Sequence, residues 1–205
     1  MKIVLIFVAA LLALALTLVG AGYGAIKLWP RIAAEFMPDI PVDAATRIRD
    51  AEAQLTQAND QYDRWVALGD AAMWKSTQAN TDDAAALATE LLAAAETYKS
   101  DWNYGNAIHK ANLALGRIAL RKGDRVAARN YLIASTKSKG SPQMNSFGPN
   151  MSLAKEMLEA GEKDAVLDYL KQCRAFWEMG HDSLDVWESM IRDGRSPRFG
   201  ANLLY

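Results

Sequence analysis

Two hydrophobic patterns divide the chain. Residues 3–25, IVLIFVAALLALALTLVGAGYGA, run for twenty-three positions without a charge, long enough as a helix to cross a hydrocarbon core of about 30 Å. From Asp43 the apolar positions become periodic instead. Ile48, Leu55, Tyr62 and Gly69 recur every seven residues, with Ala51, Ala58, Trp65 and Ala72 between them, a stripe that predicts one amphipathic helix of about eight turns. Asp43, just after Pro41, is its N-cap, because a carboxylate there can accept the free first-turn amides. The segment QANTDD (residues 78–83) ends it. Thr81 then caps a second helix with Asp82 and Asp83 in the first turn, where the helix dipole favours them. That helix, AAALATELLAAAETY (residues 84–98), pairs small alanines with Leu87, Leu91 and Leu92. Nothing beyond the apolar stretch alternates as a half-buried strand does, so the domain is predicted to be all-α.

The uncharged stretch is read as a retained single-pass anchor, residues 1–29. A cleaved signal peptide is the rival reading, but the apolar run through Val19 exceeds the length of an ordinary signal core. Tyr23 and Trp29 bracket the exit as interfacial aromatics do. Lys2 precedes the span while Lys27 and Arg31 follow it, so positive charge nearly balances across it. The short basic head favours an N-terminus inside the cytoplasm and a domain outside it. PDIP (residues 38–41) lies in a linker, residues 30–42, whose prolines stop a helix from continuing out of the membrane; the domain is residues 43–205.

The later chain compares with itself. ANLALGRIALRKGDRVAARNYLIAS (residues 111–135) aligns with NMSLAKEMLEAGEKDAVLDYLKQC (residues 150–173). Leu115-Gly116 matches Leu153-Ala154, Gly123-Asp124 matches Gly161-Glu162, and Ala128 and Leu132 match Val166 and Leu170. A small residue lets two helices touch, a glycine takes the turn, and the later apolar residues close the core. These positions resemble the tetratricopeptide repeat, and WVALGDAAM from Trp65 resembles its opening in a third copy. The copies depart from that family. The first lacks a turn glycine, and the turn glycines of the other two stand 38 residues apart against about 34 in the family. The resemblance implies an all-α, tetratricopeptide-like α-solenoid of about three hairpins with a groove that binds a protein or peptide. The runs DWNYGNAIHKANLALGRIAL and GSPQMNSFGPNMSLAKE further resemble small bacterial membrane-anchored repeat proteins of unassigned function; with the orientation read from the basic head, the expected location is the periplasmic side of a bacterial inner membrane.

Composition adds little chemistry. Twenty-three basic and 24 acidic residues nearly cancel, which argues against nucleic acid as a partner. The single cysteine, Cys173, forms no intramolecular disulfide and sits at a helical apolar position. His109 and His181 lack partners at metal-ligand spacing, and neither a nucleophile elbow nor a phosphate loop is present. The reading is therefore a non-enzyme with no cofactor and no metal.

Candidate partner-binding residues are Trp102, Asn106, His109, Arg117, Arg121, Asn145 and Phe147. Trp102, Asn106 and His109 are spaced to share a helix face. They form either a ligand-binding wall or a satisfied network pinning the neutral loop GSPQMNSFGPN (residues 140–150). Arg117 and Arg121 belong to a basic cluster with Lys110, Lys122, Arg125 and Arg129. That cluster either meets an acidic partner or pairs with Glu156, Glu159, Glu162 and Asp164 of the next hairpin. Arg129 reads as a surface residue. In the loop, Phe147 is expected to tuck between hairpins and Asn150 to cap a helix from Met151. Asp182 or Ser183 should cap a last helix bearing Leu184, Trp187 and Ile191, with Gly194 and Pro197 ending it. The tail, with Phe199, Leu203, Leu204 and Tyr205, is too apolar to stay in water and should fold back beside that helix. The function this implies is a membrane-tethered, non-catalytic scaffold for a protein or peptide. The alternative is a receptor or inhibitor taking a compact ligand through Asn106, His109 and the loop.

Overall fold

In the computed structural model, which describes residues 28–36, 39 and 41–204, every regular element is helical. The expected membrane span lies outside these residues, and among them no helix is long and apolar enough to cross a membrane. A helix covering residues 28–36, α1, comes first. It is followed by α2 (Ala44–Thr56), α3 (Gln61–Lys75), α4 (Asp82–Ala95), α5 (Tyr104–Arg121) and α6 (Arg125–Ala134). Next come α7 (Pro142–Phe147), α8 (Ser152–Glu159), α9 (Lys163–Cys173) and α10 (His181–Arg192), and the chain ends in a 3-10 turn, Gly200–Leu203.

The predicted eight-turn helix is two helices. Asp43 caps α2 as expected, accepting from the Thr46 amide at 3.1 Å. The chain then turns after Thr56, and Asp60, in extended backbone, caps α3 by accepting from the Asp63 amide at 2.8 Å. The seven-residue stripe runs through this break because α2 folds back on α3 and both need apolar faces. Thr81 occupies the N-cap of α4 without a side-chain bond; Asn80 Oδ1 accepts from the Asp82 amide instead, at 3.1 Å.

Successive helices pack as hairpins, α3 on α4, α5 on α6 and α8 on α9, while α5 also touches α3 and α8, and α6 touches α9. The aligned positions do the same work in the last two hairpins. Gly123 and Gly161 adopt φ of +80° and +84°, a conformation that costs glycine no steric penalty. The following amides close matched C-caps, Asp124 N–H to Ala119 O at 3.0 Å and Glu162 N–H to Met157 O at 2.8 Å. Ala128, Leu132, Val166 and Leu170 are fully buried.

One substitution between the copies changes what the turn does. Asp124 caps α6 by accepting from the Ala127 amide at 2.9 Å. Glu162, one methylene longer, makes no cap bond and reaches across to Arg125, at 3.3 Å, and Arg129. Its side chain is nearly buried. Arg129 is exposed as expected, yet it is the counter-ion of a buried carboxylate, and hydrogen bonding to it holds the Glu162 carboxyl below its ordinary range.

Gly116 lies where three helices meet. A Cβ placed there would stand 2.4 Å from Leu153 Cδ2 on α8 and 3.2 Å from Tyr131 Cβ on α6. Gly116→Leu is expected to overpack this contact and destabilise the fold by about 1–3 kcal/mol, read as a lower urea midpoint at unchanged slope. An unchanged midpoint would mean the helices do not meet there.

The ends of the described chain are joined. Ala34 of α1 is buried, and its carbonyl accepts from the Arg198 amide at 2.9 Å. Arg195 binds Glu35 at 2.8 Å. Asp39 accepts from the Phe199 and Gly200 amides at 3.0 and 3.1 Å and pairs with Lys155 at 2.6 Å. Burial opposes the Asp39 charge, but Lys155 and the two amides outweigh it and hold the carboxyl below its usual range. The segment read as a linker, residues 30–42, is thus helical to residue 36 and fastened to the tail. α10 starts at His181, with Gly180 rather than Asp182 or Ser183 at the cap position. Leu184, Trp187 and Ile191 are buried as expected, and Phe199 stacks edge-on against Trp187 at 5.0 Å. Phe199 and Leu203 are buried and Leu204 is half-buried, so the tail folds back. Tyr205 lies outside the described residues.

Candidate functional site

The polar cluster opening α5 was the richest chemistry in the sequence, and its geometry begins with the loop it faces. Ser141 is an N-cap with Pro142 in the first turn, so the neutral loop contains a short helix, α7. Ser141 Oγ accepts from the Met144 amide at 3.1 Å and donates to Asn106 Oδ1 at 2.7 Å. Asn106 Nδ2 in turn donates to Asn103 Oδ1 at 2.8 Å. At the far end of the loop the Asn150 amide donates to His109 Nε2 at 3.1 Å, and His109 Nδ1 faces the Ser135 carbonyl at 3.2 Å. An amide N–H can only donate, so Nε2 carries the lone pair and the proton sits on Nδ1. Burial drives the His109 pKa down to about 4, against the bond to the Ser135 carbonyl.

Asn106 and His109 therefore hold the two ends of one loop. Between them the backbones touch, since a Cβ on Gly105 would lie 1.9 Å from the Gly140 carbonyl oxygen. Asn150 Oδ1 satisfies the Ser152 amide at 2.8 Å, one residue beyond the expected cap, and the Asn150 carbonyl accepts from Tyr169 at 3.2 Å. Asn145 turns its amide nitrogen to the Ser141 and Phe176 carbonyls, at 3.0 and 3.3 Å. Asn202 of the tail donates to the Phe147 and Pro149 carbonyls at 3.0 and 3.1 Å.

Two candidates stand elsewhere than expected. Trp102 does not join Asn106 and His109, because α5 starts at Tyr104 and helical spacing does not extend back to it. It is exposed and borders a cleft with Tyr62, Asp63 and Val66. Phe147 is exposed too; Met144, one turn earlier on α7, is the buried anchor of the loop. The helical turn of α7 sets which of the two faces inward, and a loop sequence without helical periodicity carries no such signal.

Both arginines bind within the fold, Arg117 buried and Arg121 at the surface. Arg117 is buried and commits four of its five N–H donors: Nε on Glu156 at 2.6 Å, one terminal nitrogen on Ser76 Oγ and the Met73 carbonyl at 2.8 and 3.2 Å, and the other on Ser152 Oγ at 2.7 Å. Arg121 binds the carbonyls of Ser76, Thr77 and Gln78, at 2.8, 3.1 and 2.7 Å, just past the end of α3. Cys173 is fully buried and its thiol is pushed up by burial, so it belongs to the core. Among the described residues no group of three or more histidines, cysteines or carboxylates is placed to hold a metal.

Two further openings to solvent are lined by none of the candidate residues. A pocket of about 290 Å³ is bounded by Arg47, Asp50, Asp70, Trp74, Lys110 and Gln143. Lys110 pairs with Asp70 at 2.7 Å, and the Arg47 guanidinium stands 5.7 Å above the Trp74 ring. These residues come from four helices, and no local motif marks them. A larger cleft of about 710 Å³ is bordered by Lys99, Tyr104, Lys137 and Lys139.

No family model matches the sequence, no curated protein matches it, and no solved structure matches it.

Proposed function

We propose that this chain is a membrane-tethered, non-catalytic scaffold, built as a tetratricopeptide-like solenoid of the hairpins α3–α4, α5–α6 and α8–α9 closed by α10. Its work is to hold a protein or peptide beside a membrane, on the extracytoplasmic side. The observation that carries this reading is the use of the reactive side chains. His109 has both nitrogens engaged inside the protein, and buried Arg117 has all three guanidinium nitrogens bonded there. The polar groups that would suit catalysis are occupied in holding helices and loop together.

The groups left accessible suit a peptide. Arg47, Asp70, Lys110 and Gln143 offer charges of both signs and an amide around the Trp74 indole, and an arginine beside an aromatic ring is a pairing enriched where proteins meet. A compact acidic ligand is the second reading, favoured by the three lysines of the larger cleft. The wall of Asn106 and His109 supports neither, since the loop already covers it.

A photoreactive residue at Gln143, introduced into the full chain in its native membranes, distinguishes the two. A discrete crosslinked protein that is absent with the probe at Lys139 is the expected result. Crosslinking from Lys139 alone, to a small acidic molecule, would replace this reading by the second. Reporter fusions after Leu204 test the side of the membrane, and activity of a cytoplasmic reporter would reverse the orientation.

A further inference from the structure

α1 turns two unlike faces outward and inward. Ala34 is buried against the tail, and Pro30, Ala33 and one edge of Trp29 border an apolar cleft beside Trp187 and Phe199. The opposite side carries Leu28, Trp29, Ile32 and Phe36, between 43% and 72% exposed. At 100° per residue these four fall within an arc of about 100°. Nine large apolar side chains are exposed among the described residues, and four of them sit on this one short helix. Such a concentration marks a surface with an occupant, whereas the single exposed residues elsewhere do not.

The chain itself indicates which occupant. The uncharged stretch of residues 3–25 ends three positions before Leu28, so a segment suited to the bilayer interior delivers α1 at its edge. Tryptophan and phenylalanine on the outer face suit the boundary between headgroups and acyl chains. Arg31, exposed on the flank, and Arg198, held beside α1 by its backbone bond to Ala34, have stems long enough to reach lipid phosphates.

We infer that the Leu28, Trp29, Ile32 and Phe36 face of α1 lies in the surface of the bilayer and fixes the domain against it. This rests on the reading of residues 3–25 as a membrane anchor and goes beyond it. An anchor alone would let the domain swing on a leash. Because α1 is clasped by Asp39, Arg195 and Arg198, an embedded α1 gives the whole domain one orientation, with α10 and the tail on the membrane side.

The test uses the full chain in vesicles of phosphatidylcholine and phosphatidylglycerol. The buried Cys173 thiol stays unlabelled, so a nitroxide can be placed at Phe36→Cys and, as control, at Val126→Cys, an exposed apolar site on a helix away from α1. The label at position 36 is expected to show a several-fold higher ratio of oxygen to nickel-chelate collisions than the label at 126. Equal ratios in protein that survives a carbonate wash would overturn the docking and leave the anchor standing. Spin–spin broadening at position 36 would assign the face to a second copy and overturn it too. Release of the protein by carbonate would sink the anchor, and the docking with it.

Discussion

Arg117→Ala is expected to destabilise the domain by several kcal/mol, since each hydrogen bond to a charged donor contributes about 1.5–3 kcal/mol. Against a total stability of about 5–15 kcal/mol for a domain of this size, the variant should be partly unfolded at body temperature. The reason lies in where the four bonds go. One guanidinium ties the end of α3, at Met73 and Ser76, to both Ser152 and Glu156 of α8, while riding on α5 between them. Lysine cannot replace it, because a single ammonium lacks the planar fork that reaches three directions. Arg117→Lys should therefore recover only a minor part of the loss, and Glu156→Gln should cost less than Arg117→Ala because Glu156 is a third exposed. Chemical denaturation of the three variants checks the order. A loss under about 1 kcal/mol for Arg117→Ala, the range of ordinary surface changes, would show that the residue does not bind the hairpins together.

The second large effect is a dependence on pH. His109 titrates near 6.5 when unfolded and at about 4 in the folded protein, with burial as the main cause. Between these values the unfolded chain binds the extra proton, so stability falls as pH drops. The contribution is complete above about 6.5 and is lost progressively towards 4, amounting to about 3 kcal/mol over the whole window. Protonation would also set an N–H at Nε2 against the Asn150 amide, donor facing donor. The depressed carboxyls of Asp39 and Glu162 lose their contributions only as pH falls below the ordinary carboxylate range. The interval from 6.5 to about 4.5 is therefore left to His109. Stability measured at steps from pH 7 to 4.5 should decline in the native chain and stay nearly level in His109→Gln. Parallel curves would mean that His109 is not held neutral. Loss of amide protection at Met144 and Asn150 should accompany the decline, since His109 holds one end of the loop.

How much of this was legible depended on the reach of each signal. Gly123, Gly161 and the apolar residues five and nine positions on were readable because a turn and its hairpin are written within one short segment. Asp43 was readable as a cap for the same reason, and the tail because Phe199 and Leu203 have no local use in water. The break after Thr56 was hidden, since the apolar stripe suits two packed helices as well as one long one. Only Asn59-Asp60 hinted at it. α7 was missed because six residues make less than two turns of pattern, and they bury only Met144 fully. Arg117 looked like surface because charge predicts exposure when nothing else is known. Its partners lie 35 to 44 residues away, beyond any spacing rule. The same distance hid the pocket of Arg47, Asp70 and Lys110, whose walls converge only when four helices have packed.

The clasp between α1 and the tail sets an order of events during synthesis. Asp39 and its amide partner at Phe199 are 160 residues apart. At about 5–20 residues per second, the carboxylate leaves the ribosome roughly ten to thirty seconds before that amide exists. The three hairpins draw on nearer partners and can assemble during the wait. The newborn chain therefore passes through a stage in which the hairpins stand while α1 hangs from them by its C-terminal side alone. Its apolar face gains a fixed direction only when residues made long after it arrive and close the clasp.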